Sequence, residues 1–365
     1  MEINISRPQL TQALELVTRI STKHVTLPVL QCALLEVSTN KLKIKATNLE
    51  LSIEVSLDCK VSEDGVVAVP ANTLMQSLQY NTENEISLRE EEGVLIIETN
   101  KTNTSIKSIP HDEFPTINKL KGEAIKINRE LFSLGIKTTA FAASVSSIKP
   151  ELGSVYIQQK KEHSLTLVST DSFRLMEKTV PQKGVILEQG FLVPQKNAME
   201  ISRLCDLLQS DPGLVVTENQ CALDFAEEGV YVTSRLVSGS FPDYEQIIPK
   251  EYVSHVTVLK NDLLKAFKKT SIFLNKYQQV TISVVEGSLT MSSQNNEVGH
   301  VTDSVPAVVD GEELTLNFNQ QYVVDSLSHI TDESVILHFA GIGRPLVITG
   351  VSDKTLRYLV MPMNR

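Results

Sequence analysis

Lys265, Lys268, Lys269 and Lys276 fall on one side of a stretch whose other side carries Leu263, Leu264, Phe267 and Leu274. At about 100° per residue this spacing predicts an amphipathic helix over 260–276 with a cationic face. Ile272 falls among the lysines, so the regular helix is expected to end before it. A row of ammonium groups can hold phosphates through charge alone. No aromatic residue interleaves them, so stacking on a single strand is not indicated. The same pattern also describes an ordinary solvated face. Other chemistries find no local support. The sequence has no Gly-x-x-x-x-Gly-Lys-Ser/Thr loop, no His-Glu-x-x-His and no Gly-x-Ser-x-Gly. Gly341-Ile342-Gly343 lacks a third glycine and a following helix, and the seven histidines are scattered. Cys32, Cys59, Cys205 and Cys221 form no Cys-x-x-Cys pair and read as reduced thiols. Glu90-Glu91-Glu92 before Gly93 reads as a hairpin tip. No catalytic residue, metal site or cofactor is expected.

The chain that must position these residues has 365 residues, enough for two or three domains. It is 41% hydrophobic and 21% charged, an ordinary globular composition. No apolar run reaches the roughly 18–20 residues of a membrane span, and Met1–Ser6 does not resemble a signal peptide. A cytoplasmic protein with no membrane partner is expected. The net charge of −10 argues against a general polyanion binder, unless cations are gathered on one surface. Helices are predicted over 7–20, 71–81, 128–141, 195–208, 260–276 and 318–330. Together they hold 11 Lys and Arg against 6 Asp and Glu, so they carry +5 and the remainder −15. Positive charge is therefore concentrated on the helices.

The sequence also echoes itself. Val69-Pro70-Ala71-Asn72 returns as Val193-Pro194-Gln195-Lys196 and then as Phe318-Asn319-Gln320-Gln321. Ala46-Thr47-Asn48-Leu49-Glu50 returns as Ser169-Thr170-Asp171-Ser172-Phe173, 123 residues later. Phe114-Pro115 is echoed by Phe241-Pro242, and Glu85–Leu88 by Ser334–Leu337. The shared period of about 122–125 divides the chain into three. In the first unit Ser6 and Gln9 suggest a capping box, with Leu10, Ala13, Leu14 and Val17 forming one helix face. Leu49, Leu51, Ile53, Val55 and Leu57 alternate as a half-buried strand does. Each unit reads as two helices packed on one face of an antiparallel sheet, an α+β arrangement. The boundaries are drawn as 1–121, 122–251 and 252–365.

These residues resemble the bacterial DNA polymerase III beta subunit, the sliding clamp family. The resemblance spans the chain. It rests on Thr26–Leu30, Ala46–Glu50, Val69–Ala71, Ser169–Leu175, Ser238–Tyr244 and Tyr358–Met363, in that order. It implies three tandem DNA-clamp domains, with antiparallel sheets outside and two helices per domain inside. It also implies a head-to-tail homodimer whose twelve helices line a hole around duplex DNA. The function implied is that of a non-catalytic processivity factor, catalogued with DNA-directed DNA polymerase activity. Lys23 and His24 match a basic loop of the first domain; Lys149, Lys196, Arg203 and Lys265 are the other candidates for sequence-independent DNA contact. Clients would be the replicative polymerase alpha subunit, the clamp loader, and repair and translesion polymerases. They would insert an apolar peptide between the second and third domains. Carried over by motif, that pocket is Leu152, Thr170, Ser172, Phe173, Arg174, Leu175, Pro242, Ile247, Val360, Met361, Pro362 and Met363. Two features depart from the family. Phe173 stands where histidine is usual, and the chain ends Met363-Asn364-Arg365 where arginine and an apolar residue are usual. Two other readings of the residues stay open: a β-rich scaffold that does not encircle DNA, and an enzyme whose site forms only at domain junctions.

Overall fold

The computed structural model describes residues 1–21, 26–146 and 148–363. Every strand ladder is antiparallel, and the strands form sheets of five, eight and twelve strands. Among the described residues six α-helices accompany them: α1 (Arg7–Val17), α2 (Ala71–Gln79), α3 (Arg129–Thr139), α4 (Gln195–Leu207), α5 (Lys260–Thr270) and α6 (Gln320–Leu327). Each falls where the 3.6-residue periodicity places it, though several end early. Short 3₁₀ turns follow α3 at Ala140–Ala142 and α5 at Ser271–Phe273. The second of these is the ending expected from Ile272, and it carries Lys276 off the helix.

The internal repeat is visible in the backbone. The helices α2, α4 and α6 begin at residues 71, 195 and 320, each directly after a strand. The two sequence echoes around residues 48 and 171 fold into the same turn. In the first, Asn48 Oδ1 accepts the N–H groups of Glu50 and Leu51 at 3.0 and 2.8 Å, and Leu49 has φ +75°. In the second, Asp171 Oδ1 accepts those of Phe173 and Arg174, both at 2.9 Å, and Ser172 has φ +77°. Thr47 and Thr170 brace the two turns alike, each donating its hydroxyl four residues ahead. A carboxylate or amide oxygen that takes two successive N–H groups is what stabilises such a bend.

Three details differ from the sequence reading. Ser6 starts α1 without any side-chain capping bond. Leu49 is exposed in the turn, and the strand expected to include it runs Leu51–Asp58. The sheets are not one per repeat. The first repeat's strand Leu51–Asp58 pairs with the second repeat's Val230–Arg235. The second repeat's Arg174–Pro181 pairs with Leu356–Val360 near the chain's end. Edge strands that would otherwise expose unpaired backbone groups satisfy them in the next repeat.

The chain packs as two compact units, residues 1–130 with 200–236, and residues 131–199 with 237–365. In the first, α1 packs on α2 and on strands Lys41–Thr47 and Leu51–Asp58, burying Leu10, Leu14 and Val17. In the second, α5 and α6 cover a core that includes Phe267, Ile282, Met291, Phe318 and Phe339. Gln320 ties these helices together, donating to the Phe267 carbonyl at 2.9 Å and accepting from Thr270 at 2.6 Å. Gly135 lets α3 approach strand Ser164–Thr170; a Cβ there would lie 2.6 Å from Leu167 Cδ1.

All four cysteines are free. Burial pushes the Cys32 and Cys221 thiols up to about 11 and about 12, so both stay protonated and inert at neutral pH. No helix among the described residues is long and apolar enough to cross a membrane.

Candidate functional site

The second copy of the repeated turn carries something the first lacks. The residue closing the turn is Leu51 in the first copy and Arg174 in the second. Arg174 opens strand Arg174–Pro181, and its side chain, 13% exposed, turns inward. Its Nε donates to Asp171 Oδ2 at 3.0 Å, one Nη to Asp325 Oδ2 at 2.6 Å, and the other Nη to the Phe141 carbonyl at 3.0 Å. The guanidinium also lies over the Tyr322 ring, 4.6 Å from its centroid. One planar cation thus joins the turn, α6 and the 3₁₀ turn that follows α3, a task suited to a rigid fork of donors. Burial alone disfavours its charge. Tyr358, Asp325 and Asp171 outweigh that effect and hold its pKa above the ordinary value.

The Arg174 anchor leaves Phe173 at the tip of the turn, 60% exposed. The backbone closes around this point. Met361 donates its N–H to the Phe173 carbonyl at 2.8 Å, and Met363 donates to the Asn317 carbonyl at 2.7 Å. The C-terminal segment is therefore hydrogen-bonded in place through Met363. Beneath it lies an apolar cluster of Val168, Leu175, Tyr244, Val347 and Leu359. Tyr156, Phe241, Ile248 and Met361 pack partly buried against it. Tyr156 and Phe241 stack with centroids 4.8 Å apart.

The sequence-derived pocket residues distribute unevenly here. Leu175 and Met361 belong to this cluster. Val360 pairs with Arg174 in register but buries its side chain in the core under α5 and α6. Thr170 and Ser172 shape the turn, and Leu152 is buried in the loop preceding strand Ser154–Gln158. Pro242 and Ile247 are exposed on the 241–250 segment; Pro362 and Met363 are partly exposed on the tail. Motif reasoning missed Phe141, Tyr322, Asp325 and Tyr358 around Arg174, and Phe241, Tyr244 and Ile248 over the sheet. Asp325 lies 151 residues from Arg174, so no local spacing could have paired them.

Three of the four described DNA-contact candidates are exposed. Lys149 and Lys196 are exposed. Lys265 is exposed on α5 and bonds Asp262 one turn back at 3.0 Å. Arg203 is half-buried; it pairs with Glu200 and donates to the Leu16 carbonyl at 3.2 Å. Lys269 pairs with Asp303, and Lys276 sits over Tyr277 beyond the helix. Lys23 and His24 lie outside the described residues. Among the described residues no group of three or more His, Cys, Asp or Glu side chains could hold a metal.

Comparison with known proteins agrees with this architecture. Residues 1–118, 126–243 and 245–364 match the N-terminal, central and C-terminal domains of the DNA polymerase III beta subunit. The chain is 27% identical to the beta sliding clamps of Caulobacter vibrioides and Pseudomonas putida, with both chains covered in full. The crystal structure of the DNA polymerase III subunit beta from Pseudomonas aeruginosa superposes with a TM-score of 0.95 at 26% identity, again covering 100% of each chain. A sliding clamp from the same organism bound to griselimycin gives 0.93 at 26%, with the same coverage. Three tandem clamp domains, each matched by its own part of the family and together spanning nearly the whole chain, show that this protein belongs to the DNA polymerase III beta subunit family, the sliding clamps, non-catalytic processivity factors of that polymerase.

Proposed function

We propose that two copies of this chain associate head to tail into a ring that encircles duplex DNA and tethers a replicative polymerase to it in the cytoplasm. The domains run 1–121, 122–251 and 252–365. The ring holds DNA by topology, so its contacts need not be tight. Lys23 and His24, with the exposed Lys149, Lys196 and Lys265, meet phosphates through screened charge and allow sliding; base-specific bonds would arrest it. Arg203, which also pairs with Glu200, is the remaining candidate for phosphate contact.

The client site is the surface around the Asp171–Arg174 turn. The observation that carries this reading is an anchored apolar turn: Phe173 is 60% exposed at its tip, Met361 is partly buried against the cluster that holds Leu175, and Arg174 is bonded to Asp171 and Asp325 behind it. Methionine at 361 and 363 suits a site that accepts several apolar peptides, because its unbranched side chain repacks easily. The polymerase alpha subunit, the clamp loader, and repair and translesion polymerases compete for it.

Two measurements test this. The protein is loaded onto circular plasmid by a clamp loader, and its retention is compared before and after linearisation. Loss only from the linear form supports encirclement; equal retention on both forms refutes it. Deletion of residues 361–365 should abolish binding of a client peptide while the dimer persists. A truncated dimer that still binds the peptide normally would remove the pocket assignment.

A further inference from the structure

The sheet face that carries the client pocket continues into a second, charged cleft. Three neighbouring strands present residues to this face in register. Thr170 pairs Leu175, which pairs Leu359 at the apolar end. Val168 pairs Glu177, which pairs Arg357 in the middle. Thr166 pairs Thr179 at the far end. The 241–250 segment lies over this face, and its Ile248 both packs on the apolar cluster and lines the cleft. The cleft has a volume of about 500 Å³ and includes Lys160, Lys161, Lys250, Lys354 and Arg357 against two carboxylates, Glu177 and Glu245.

Those two carboxylates are already committed. Glu177 accepts from Lys160 at 2.8 Å and from the Tyr244 hydroxyl at 2.6 Å, with Arg357 4.0 Å away. Glu245 pairs with Lys160 at 2.6 Å. Burial works against the Glu177 carboxylate, but Lys160, Tyr244 and Arg357 outweigh it and keep its pKa below the ordinary value. Lys161, Lys250 and Lys354 are exposed and make no ion pair among the described residues. A chain of net charge −10 thus keeps three uncompensated lysines around one cleft, which shares Ile248 with the apolar cluster of Leu175 and Met361.

We infer that this cleft receives an acidic segment of the client chain, adjoining the apolar residues that fill the pocket, and that it selects clients by charge. The inference rests on the client-site reading above. Strands advance about 3.3 Å per residue, so the step from Leu175 to Thr179 spans about 13 Å. An extended client strand would place carboxylates about three to five residues from its apolar anchor against the lysines. Pairing at such a rim adds modest affinity and mainly specificity.

The test uses the full-length protein and fluorescein-labelled peptides: a Leu/Phe-rich pentapeptide, and the same core extended by Glu-Glu-Glu-Glu or by Lys-Lys-Lys-Lys on either side. The comparison protein carries Lys161→Glu, Lys250→Glu and Lys354→Glu, all at exposed positions. An acidic extension on one side should tighten wild-type binding about three- to ten-fold at low salt, given rim pairs of modest strength. The gain should vanish in the triple variant, while the core peptide binds both proteins equally. A core peptide that binds while neither acidic extension adds affinity would sink the cleft alone, as would a gain that persists in the variant. A core peptide that binds neither protein would sink the client pocket and this extension with it. If the variant instead loses affinity for duplex DNA and keeps the acidic-peptide gain, the lysines serve DNA and the inference is wrong.

Discussion

Replacing Arg174 by alanine removes one cation from three acceptors at once. Asp171 is 13% and Asp325 27% exposed at the side chain, so neither is readily resolvated. Breaking a buried pair by deleting one partner costs about 3–5 kcal/mol. Two features reduce that here: Asp171 keeps the N–H groups of Phe173 and Arg174, and Asp325 reaches some solvent. The remaining cost is roughly 2–4 kcal/mol, or about 5–12 °C in Tm for a unit of this size. Arg174→Lys should recover less than half of it, because one ammonium cannot span acceptors on three segments. Calorimetry on Arg174→Ala, Asp325→Ala and the double variant separates the pair from its surroundings. Directly bonded partners should couple by about 0.5–3 kcal/mol. A Tm change below about 2 °C, or strict additivity of the two substitutions, would refute the idea that this cation holds the turn to α6.

Three further outcomes follow from the geometry. His338 faces His255 with their Nδ1 atoms 2.8 Å apart, beneath Tyr252 and near Lys354. Burial, then His255 and Lys354, push its pKa down to about 4. The unfolded chain, with His near 6.5, therefore binds more protons between those values. Stability from this group is complete above pH 6.5 and is lost as pH falls toward 4. Allowing for its partial exposure, the loss is about 1–2 kcal/mol, and His338→Gln should flatten it in urea titrations at pH 7 and 5. Lys265→Ala should weaken DNA binding equally for all sequences and reduce the slope of log K against log salt by about 0.9 per lost contact; a changed sequence preference would contradict a purely electrostatic role. Gly135→Val should destabilise by about 1–3 kcal/mol, since its side chain meets Leu167 across a close helix–strand contact; an unchanged urea midpoint would show that Leu167 can yield.

Much of this molecule was legible along the chain, because the signals involved are local. Helix faces follow from a 3.6-residue period, so α1 through α6 could be placed from spacing, and the likeness of the segments at 48 and 171 showed as a sequence echo. The charge split between helices and the remainder needed only counting. Local rules failed where a second partner decides the outcome. Ser6 and Gln9 had the right types for a capping box, yet no side-chain cap formed. Leu49 alternated in phase with a strand but lies in a left-handed turn, because Asn48 captured the N–H groups after it.

The sequence by itself determined the threefold repeat, the helix positions, the thiol chemistry and, through ordered motifs, the family. Only the tertiary structure decided what each copy of the repeated turn is joined to. Thr47–Leu51 and Thr170–Arg174 bend alike; the second gains Asp325 from a helix 151 residues away, a tail strand paired across Leu175, and the 241–250 segment laid over the same face. The physical reason is range. A hydrogen-bonded turn is closed by residues two to four apart and is written in one short stretch. A buried ion pair and a sheet ladder between distant segments exist only once the chain has returned upon itself, and no local pattern of residue types specifies where that return occurs.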